Sequence, residues 1–309
     1  MRDSHDPGLA VGLIGLGNMG TAFAERLLDA GYGLVVMNRT PAKAAPLEAR
    51  GATLAGSYAD LAERADVVLT SLADDDALDE VAAALLAVAK PGTVLVDTST
   101  VSPAVSARVA ERAEKASVAY TRAPVSGNPT VVRAGNLSFI VSGPSETLDG
   151  VEPILLAIGP TVYRVGDAEE ARVVKLAINL MIGGLAQLMA EALVLGESSG
   201  VSRAALLEVM GGSAAGAPFV RYKTGALLED DYSATFTTAL MGKDLDLILD
   251  AAGDAGVELP VTTGLQAIVR AAIEAGYADD DFMALFPFLA SVSRAHAAAT
   301  APLSQEVTQ

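Results

Sequence analysis

Residues 9–31 read LAVGLIGLGNMGTAFAERLLDAG: an apolar run, three glycines in the order G-x-G-x-x-G, and then a helical pattern. Strand, glycine turn and helix in that order give the spacing a mechanism. Gly15 permits the tight turn, Gly17 lets a pyrophosphate approach the backbone, and Gly20 lets helix and strand pack closely. Asn18 and Met19 complete the turn, and the helix N-terminus behind them offers unpaired N–H groups to phosphates. The stretch predicts a dinucleotide site at the start of an α/β sheet.

The next apolar run, 34–37, ends in Asn38-Arg39-Thr40-Pro41, where an acidic residue would bind the adenine ribose of NAD. No carboxylate stands there. Asn38 removes the charge that would repel a 2′-phosphate, while Arg39 and Thr40 offer a guanidinium and a hydroxyl to bind one. NADP is therefore expected in preference to NAD. Thr40 also precedes Pro41 as a helix cap would.

Further strands are expected at 66–72, 93–97, 117–122, 137–142 and 161–165, with helices between the earlier ones. This order predicts a mainly parallel, doubly wound sheet whose ligands lie beyond the carboxyl ends of the strands. Three clusters fall there: SLADDD at 71–76, DTSTVSP at 97–103 and APVSGNP at 123–129. The acidic run Asp74, Asp75 and Asp76 reads as a solvated helix start, and no metal site is expected.

Residues 166–200, GDAEEARVVKLAINLMIGGLAQLMAEALVLGESSG, form the longest helical pattern. Asp167 and Glu170 have the spacing of a capping box. The apolar stretch 173–196 is long enough for a bilayer, but Lys175, Asn179, Gln187 and Glu191 interrupt it, and no membrane partner is expected. Lys175 and Asn179, four residues apart, project from one face, with Gly183 a turn further on. Beyond residue 200 only helical patterns follow, at 202–210, 237–253, 263–275 and 280–298. The loop 211–218 and the turn 256–260 connect them, Arg221, Tyr222 and Lys223 read as an exposed basic patch, and Met210, Met241 and Met283 as fillers of a core or a subunit interface. The expected organisation is α/β: an N-terminal doubly wound Rossmann domain, residues 1–166, followed by an all-α C-terminal domain, residues 167–309. A long interdomain helix, 167–199, joins them.

Composition narrows the chemistry. A net charge of -17, from 21 Lys+Arg against 38 Asp+Glu, argues against nucleic-acid and anionic-membrane partners. The absence of cysteine excludes disulfides, thiolate metal sites and cysteine nucleophiles. With an N-terminal MRDSHDP too short and charged for a signal peptide, a cytoplasmic location is expected. Histidine occurs only at His5 and His296, and no tyrosine stands four residues before a lysine. Acid–base work would fall to lysine, tyrosine or a carboxylate.

GLIGLGNMG, DTSTVSP, APVSGN followed by RAGNLSFIVSG, KLAIN and Gly242-Lys243-Asp244-Leu245 together resemble the β-hydroxyacid dehydrogenases over about residues 9–295. This is the group of 3-hydroxyisobutyrate dehydrogenase and tartronate semialdehyde reductase. The resemblance implies NADP(H)-dependent interconversion of a small 3-hydroxy acid and its semialdehyde or keto acid. It implies that Lys175 is the catalytic lysine and that Asn179 helps hold the substrate. Ser126 and Gly127, with Asn128, match the loop that binds the substrate carboxylate. Thr100 matches a threonine near the nicotinamide, Leu72 and Ala73 stand beside the cofactor, and Lys243 closes over it from the helical domain. It also implies a homodimer or homotetramer paired through the helical domains. Asn128, followed by Pro129, replaces the second glycine of the family's Ser-Gly-Gly, Leu72-Ala73 its commoner Leu-Pro, and Ala77 an asparagine found in some members. Two alternatives stay open. Imine reductases are similar but commonly carry Asp or Tyr at the position of Lys175, and a catalytically silent NADP-binding interaction module would have lost Lys175 or the Ser126-Gly127 loop.

Overall fold

The computed structural model describes residues 10–300, so Leu9 and His5 lie outside the described residues. The chain divides into two compact units, with the boundary between Ala177 and Ile178.

The first unit begins β1 (Val11–Ile14), α1 (Asn18–Asp29), β2 (Leu34–Met37), a 3-10 turn over Pro41–Ala44 running into α2 (Ala45–Glu48), β3 (Thr53–Leu54) and α3 (Tyr58–Arg64). It continues with β4 (Val67–Thr70), α4 (Asp75–Leu86), β5 (Val94–Asp97), α5 (Pro103–Lys115), β6 (Ala119–Arg122), β7 (Val125–Ser126), α6 (Pro129–Arg133), β8 (Ser138–Ser142), α7 (Ser145–Ile158) and β9 (Thr161–Gly166). The strands form one nine-stranded sheet in the order β3-β2-β1-β4-β5-β6-β8-β7, with β9 on β8. Pairing is parallel from β3 to β6, antiparallel at β6–β8 and β7–β8, and parallel again at β8–β9.

Alternation explains why the central strands read as continuous apolar runs. Successive side chains point to opposite faces, and both faces are covered. Val11, Leu13, Val67, Leu69 and Val96 pack with Phe23 and Leu27 of α1 and Ile154 and Leu155 of α7. Ile14, Val68 and Leu95 pack on the other face with Leu61, Leu78, Leu85 and Val109 from α3, α4 and α5. Because β1 pairs with β2 on one side and β4 on the other, the order reverses at β1. The loop after β1 lies at that switch point, where doubly wound sheets open a ligand crevice.

The long helix α8 (Glu170–Ser198) crosses the unit boundary, and α9 (Arg203–Gly212), α10 (Pro218–Leu228), α11 (Thr238–Asp254), α12 (Pro260–Ala272) and α13 (Leu285–Thr300) complete the second unit. In this unit α8 packs closely on α11, since a Cβ at Gly183 would stand 3.0 Å from Met241 Sδ. Met241 and Met283 are core residues, 1% and 2% exposed.

Three expectations change. The long helix starts at Glu170 instead of Asp167, and no capping box forms there. Glu170 folds back so that its Oε2 accepts the Ala168 N–H at 2.7 Å. Its own backbone N–H, and then that of Ala168, hold the Glu170 carboxyl below the usual range. The segment around Arg221, Tyr222 and Lys223 is the helix α10, and Lys223 shares its buried stripe with Val220 and Leu227. Lys223 is 4% exposed, with Nζ 2.8 and 2.7 Å from the two carboxylate oxygens of Asp281, so it belongs to no surface patch. The strands β3 and β7 were not expected, each being two residues long and too short to show alternation.

By length and composition α8 could cross a membrane. Its polar residues are instead engaged by the fold, Arg172 with Asp97 and Asn179 with Asp244. A core helix passes the same test.

Candidate active site

The glycine turn is interlocked by backbone contacts that leave no room for side chains at two of its three glycines. Gly15 has φ +99°, and a Cβ there would stand 2.3 Å from the Ser71 carbonyl oxygen, in the loop after β4. A Cβ at Gly20 would stand 1.9 Å from the Gly15 carbonyl oxygen. Gly17 differs: nothing lies within 4 Å of its Cβ position. It is the N-cap of α1 and has no side chain to bond the first-turn amides. The first-turn amides have no acceptor within the helix, and those of exposed Asn18 and half-buried Met19 stand where an anion could approach. A cradle open at Gly17 and closed at Gly15 and Gly20 fits the pyrophosphate of a dinucleotide.

Asn38 does more than omit a charge. Its Oδ1 accepts the Leu16 N–H at 2.9 Å and its Nδ2 donates to the Thr40 carbonyl at 3.0 Å. It thereby ties the end of β2 to the glycine turn. An aspartate could accept the first bond but could not donate the second. Arg39 and Thr40 are exposed next to it, and Thr40 occupies a helix N-cap position without a side-chain cap bond. Asn38 is thus fixed at the end of β2, beside exposed Arg39 and Thr40.

At the carboxyl ends of β4 and β5 the chain builds a buried polar network. Asp97, fully buried, accepts Thr70 Oγ1–H and Ser99 Oγ–H at Oδ1, each at 2.6 Å. Ser99 Oγ in turn accepts the Leu72 N–H at 2.9 Å. The second carboxylate oxygen, Oδ2, takes Nη2 of Arg172. Arg172 also donates to the Ser99 carbonyl at 2.7 Å, to Tyr120 OH at 3.0 Å and to Ser106 Oγ at 3.2 Å. Burial opposes the charge of Arg172, but Tyr120 and Asp97 outweigh it and hold the guanidinium above its ordinary pKa. Burial raises the Tyr120 hydroxyl against the opposing pull of Arg172. Leu72 and Thr100 are half-buried and Ala73 exposed, so all three candidates lie on the loops that this network braces.

The same edge of the sheet receives the start of α8. Ser142 Oγ–H donates to the Ala168 carbonyl at 2.6 Å and accepts the Ala171 N–H at 3.2 Å. Arg122, at the end of β6, donates to Glu169 from both Nε and Nη2. Lys175, half-buried, follows Arg172 by three residues on the helix so anchored. Ser126 pairs with Ser138 in β7–β8, and Gly127 has φ +138°. A Cβ at Gly127 would stand 2.8 Å from Leu137 Cδ1, which would have to give way, so the positive φ is the stronger reason for glycine there. Asn128 caps α6 by accepting the Val131 N–H at 3.0 Å, with Pro129 in the first turn. The side-chain oxygen of Asn128, a candidate of the carboxylate loop, is thus engaged by the backbone.

In the second unit, Asn179 is 7% exposed and donates from Nδ2 to Asp244 Oδ2. Lys243 Nζ lies 3.1 Å from Asp244 Oδ1. Asp244 therefore joins Asn179, through a hydrogen bond, to Lys243, through an ion pair. Among the described residues there is no cluster of three His, Cys, Asp or Glu able to hold a metal. Arg172 was missed by sequence reasoning, and Asp97 was noted only as part of a cluster. The available signal was an arginine at the edge of the apolar stretch 173–196.

Residues 10–166 match the sequence model for the NAD binding domain of 6-phosphogluconate dehydrogenase. Residues 170–289 match that for NAD-binding of NADP-dependent 3-hydroxyisobutyrate dehydrogenase. The chain is 32% identical to the NAD-dependent L-serine dehydrogenase of Pseudomonas aeruginosa, over 88% of this chain and 95% of that one. The solved structure of Mycobacterium tuberculosis 3-hydroxyisobutyrate dehydrogenase with L-serine superposes with a TM-score of 0.83 at 30% identity, covering 91% of this chain and 99% of that one. The reductive aminase of Aspergillus terreus, in complex with NADPH4, cyclohexanone and allyl amine, gives a TM-score of 0.59 at 26% identity, with the same coverage.

Proposed function

Because the chain belongs to the β-hydroxyacid dehydrogenase family, that of 3-hydroxyisobutyrate dehydrogenase, we propose that it interconverts a small 3-hydroxy acid and its semialdehyde or keto acid with NADP(H). It is an NAD(P)-dependent oxidoreductase acting on CH–OH groups of hydroxy acids. The observation that carries the finer reading is the placement of Lys175, on a helix whose first turn is fastened to the carboxyl edge of the sheet by Ser142, Arg122 and Arg172. The bound cofactor would supply a hydride to the substrate carbonyl.

The chain's own residues then have distinct tasks. Lys175 delivers a proton to the developing alkoxide in reduction and takes it back in oxidation, and its positive charge favours the alkoxide in either direction. Ser126 and the backbone at Gly127 hold the substrate carboxylate, next to a turn that Asn128 shapes by capping α6. Asn179, with one N–H given to Asp244, keeps its carbonyl oxygen and second N–H for the substrate. Thr100, Leu72 and Ala73 flank the nicotinamide. The glycine turn with Asn18 and Met19 holds the pyrophosphate. Arg39 and Thr40 hold the 2′-phosphate, which makes NADP the preferred cofactor. A cytoplasmic site of action accords with the cysteine-free composition.

The test is oxidation of NADPH and of NADH, followed by loss of absorbance of the reduced nicotinamide, over a panel of semialdehydes, glyoxylate and cyclic imines. Turnover of an aldehyde acid supports the reading, and turnover of imines alone overturns it in favour of imine reduction. The likeness to the reductive aminase motivates the imines on the panel. Arg39→Ala is expected to weaken NADPH by about 1.5–3 kcal/mol, the usual worth of a charged hydrogen bond, and to leave NADH unchanged. Equal losses for both cofactors would remove the 2′-phosphate assignment.

A homodimer, or a homotetramer built from it, is the assembly we infer. Met181, Leu188 and Leu195 are 64%, 64% and 70% exposed and recur every seven residues, which puts them on one stripe of α8. Leu188→Glu would bury a charge in such an interface. Sedimentation velocity is expected to show a smaller species for this variant than for the wild type; identical profiles would exclude the stripe.

A further inference from the structure

Arg172 serves no task in the chemistry described above, yet it is 1% exposed and makes four hydrogen bonds inside the first unit. A buried guanidinium is costly to place, and one isolated among apolar neighbours would not persist. Its partners are distributed in a particular way. Nη1 holds the carbonyl of Ser99, the residue immediately before Thr100. Through Asp97 and the Ser99 hydroxyl, Nη2 connects to the backbone N–H of Leu72. Nε reaches Ser106 on α5, and Nη2 also reaches Tyr120 on β6. Three separate segments, the loop after β4, the loop after β5 and the first turns of α8, thus share one planar group.

We propose that Arg172 is a positioning residue: through Ser99 and Asp97 it sets the loops carrying Leu72 and Thr100 in fixed relation to the helix turn carrying Lys175. This rests on the reading of Lys175 as proton donor and of the two loops as the nicotinamide side of the site. A guanidinium suits the task because it is planar and permanently charged and its five N–H groups diverge at set angles, so it fixes several acceptors relative to one another. A lysine at 172 could neutralise Asp97 but could not hold Ser99, Tyr120 and Ser106 together.

Two variants test it, Arg172→Lys and the double variant Arg172→Met with Asp97→Asn, which leaves no unpaired buried charge. Amide exchange without substrate is read first. The Leu72 N–H is expected to exchange about tenfold faster in both variants, through local opening of the loop. NADPH titration by fluorescence is expected to change little, because the glycine turn is untouched. In turnover, kcat is expected to fall by roughly 10- to 100-fold with little change in KM for NADPH, as displacement of reacting groups by about an ångström does. The isotope effect with NADPH deuterated at the transferred hydrogen is expected to rise as that transfer becomes rate-limiting. Unchanged Leu72 exchange with unchanged kcat in folded Arg172→Lys would overturn the proposal, whether or not the double variant folds. A wild type inactive on every acid of the panel would overturn the functional reading alone, since the exchange measurement reads the brace without substrate.

Discussion

Lys175→Ala is expected to lower kcat by about 10²- to 10⁴-fold, the usual worth of a positioned general acid, with NADPH binding left nearly intact. The separation follows from where the residue stands. The helix under it is fastened at Ala168, Glu169, Ala171 and Arg172 by bonds that do not involve its side chain. Alanine is also the strongest helix former, so the backbone of α8 has no reason to move. What disappears is the proton donor and the positive charge beside the developing alkoxide. Lys175→Arg is expected to rescue little, because a guanidinium keeps its proton throughout the accessible pH range. Steady-state rates and a fluorescence titration of NADPH decide it. Retention of more than about a tenth of wild-type kcat would remove Lys175 from the chemistry, being far above what loss of a general acid allows.

The second large effect is expected in the glycine turn, where two alanine substitutions separate folding from binding. In Gly20→Ala the new Cβ would stand 1.9 Å from the Gly15 carbonyl oxygen and 3.1 Å from its carbon, both backbone atoms that cannot rotate away. The turn or α1 must shift, at a cost of about 1–3 kcal/mol or more, as for other overpacked sites. Cofactor affinity falls with it. Gly17→Ala has no such clash, since its Cβ meets nothing within 4 Å and its φ of -74° suits any residue. That variant is expected to unfold in urea at the wild-type midpoint while binding NADPH much more weakly, the methyl group standing where the phosphates approach. If Gly17→Ala bound NADPH as the wild type does, the cradle would lie elsewhere.

What could be read from the residues in order is instructive about why. The glycine turn was legible because Gly15 and Gly20 meet across five residues. The strands 34–37 and 93–97 were legible because burial on both faces leaves a continuous apolar run. The start of the long helix was misplaced by three residues. The spacing of Asp167 and Glu170 is compatible with a capping box, but Glu170 bonds the nearer Ala168 N–H instead. Two arrangements of the same local groups compete there, and sequence spacing does not rank them. Lys223 was read with Arg221 and Tyr222 as an exposed basic patch, whereas its place on the stripe with Val220 and Leu227 turns it inward. Its partner, Asp281, lies 58 residues away.

By itself, then, the order of residues determined the α/β unit with its dinucleotide turn, the helical unit behind it, and the candidates Lys175, Asn179, Ser126 and Gly127. The two units follow from sterics and periodicity acting over a few residues, and the four candidates from a resemblance that preserves the order of five motifs. Only the tertiary structure decided which buried polar groups meet. Asn38 bonds Leu16 across 22 residues, Asn179 bonds Asp244 across 65, and Arg172 bonds Asp97 across 75. A buried charge or amide must find a partner wherever the fold supplies one, because desolvation penalises it otherwise. Nothing in local spacing states where that will be.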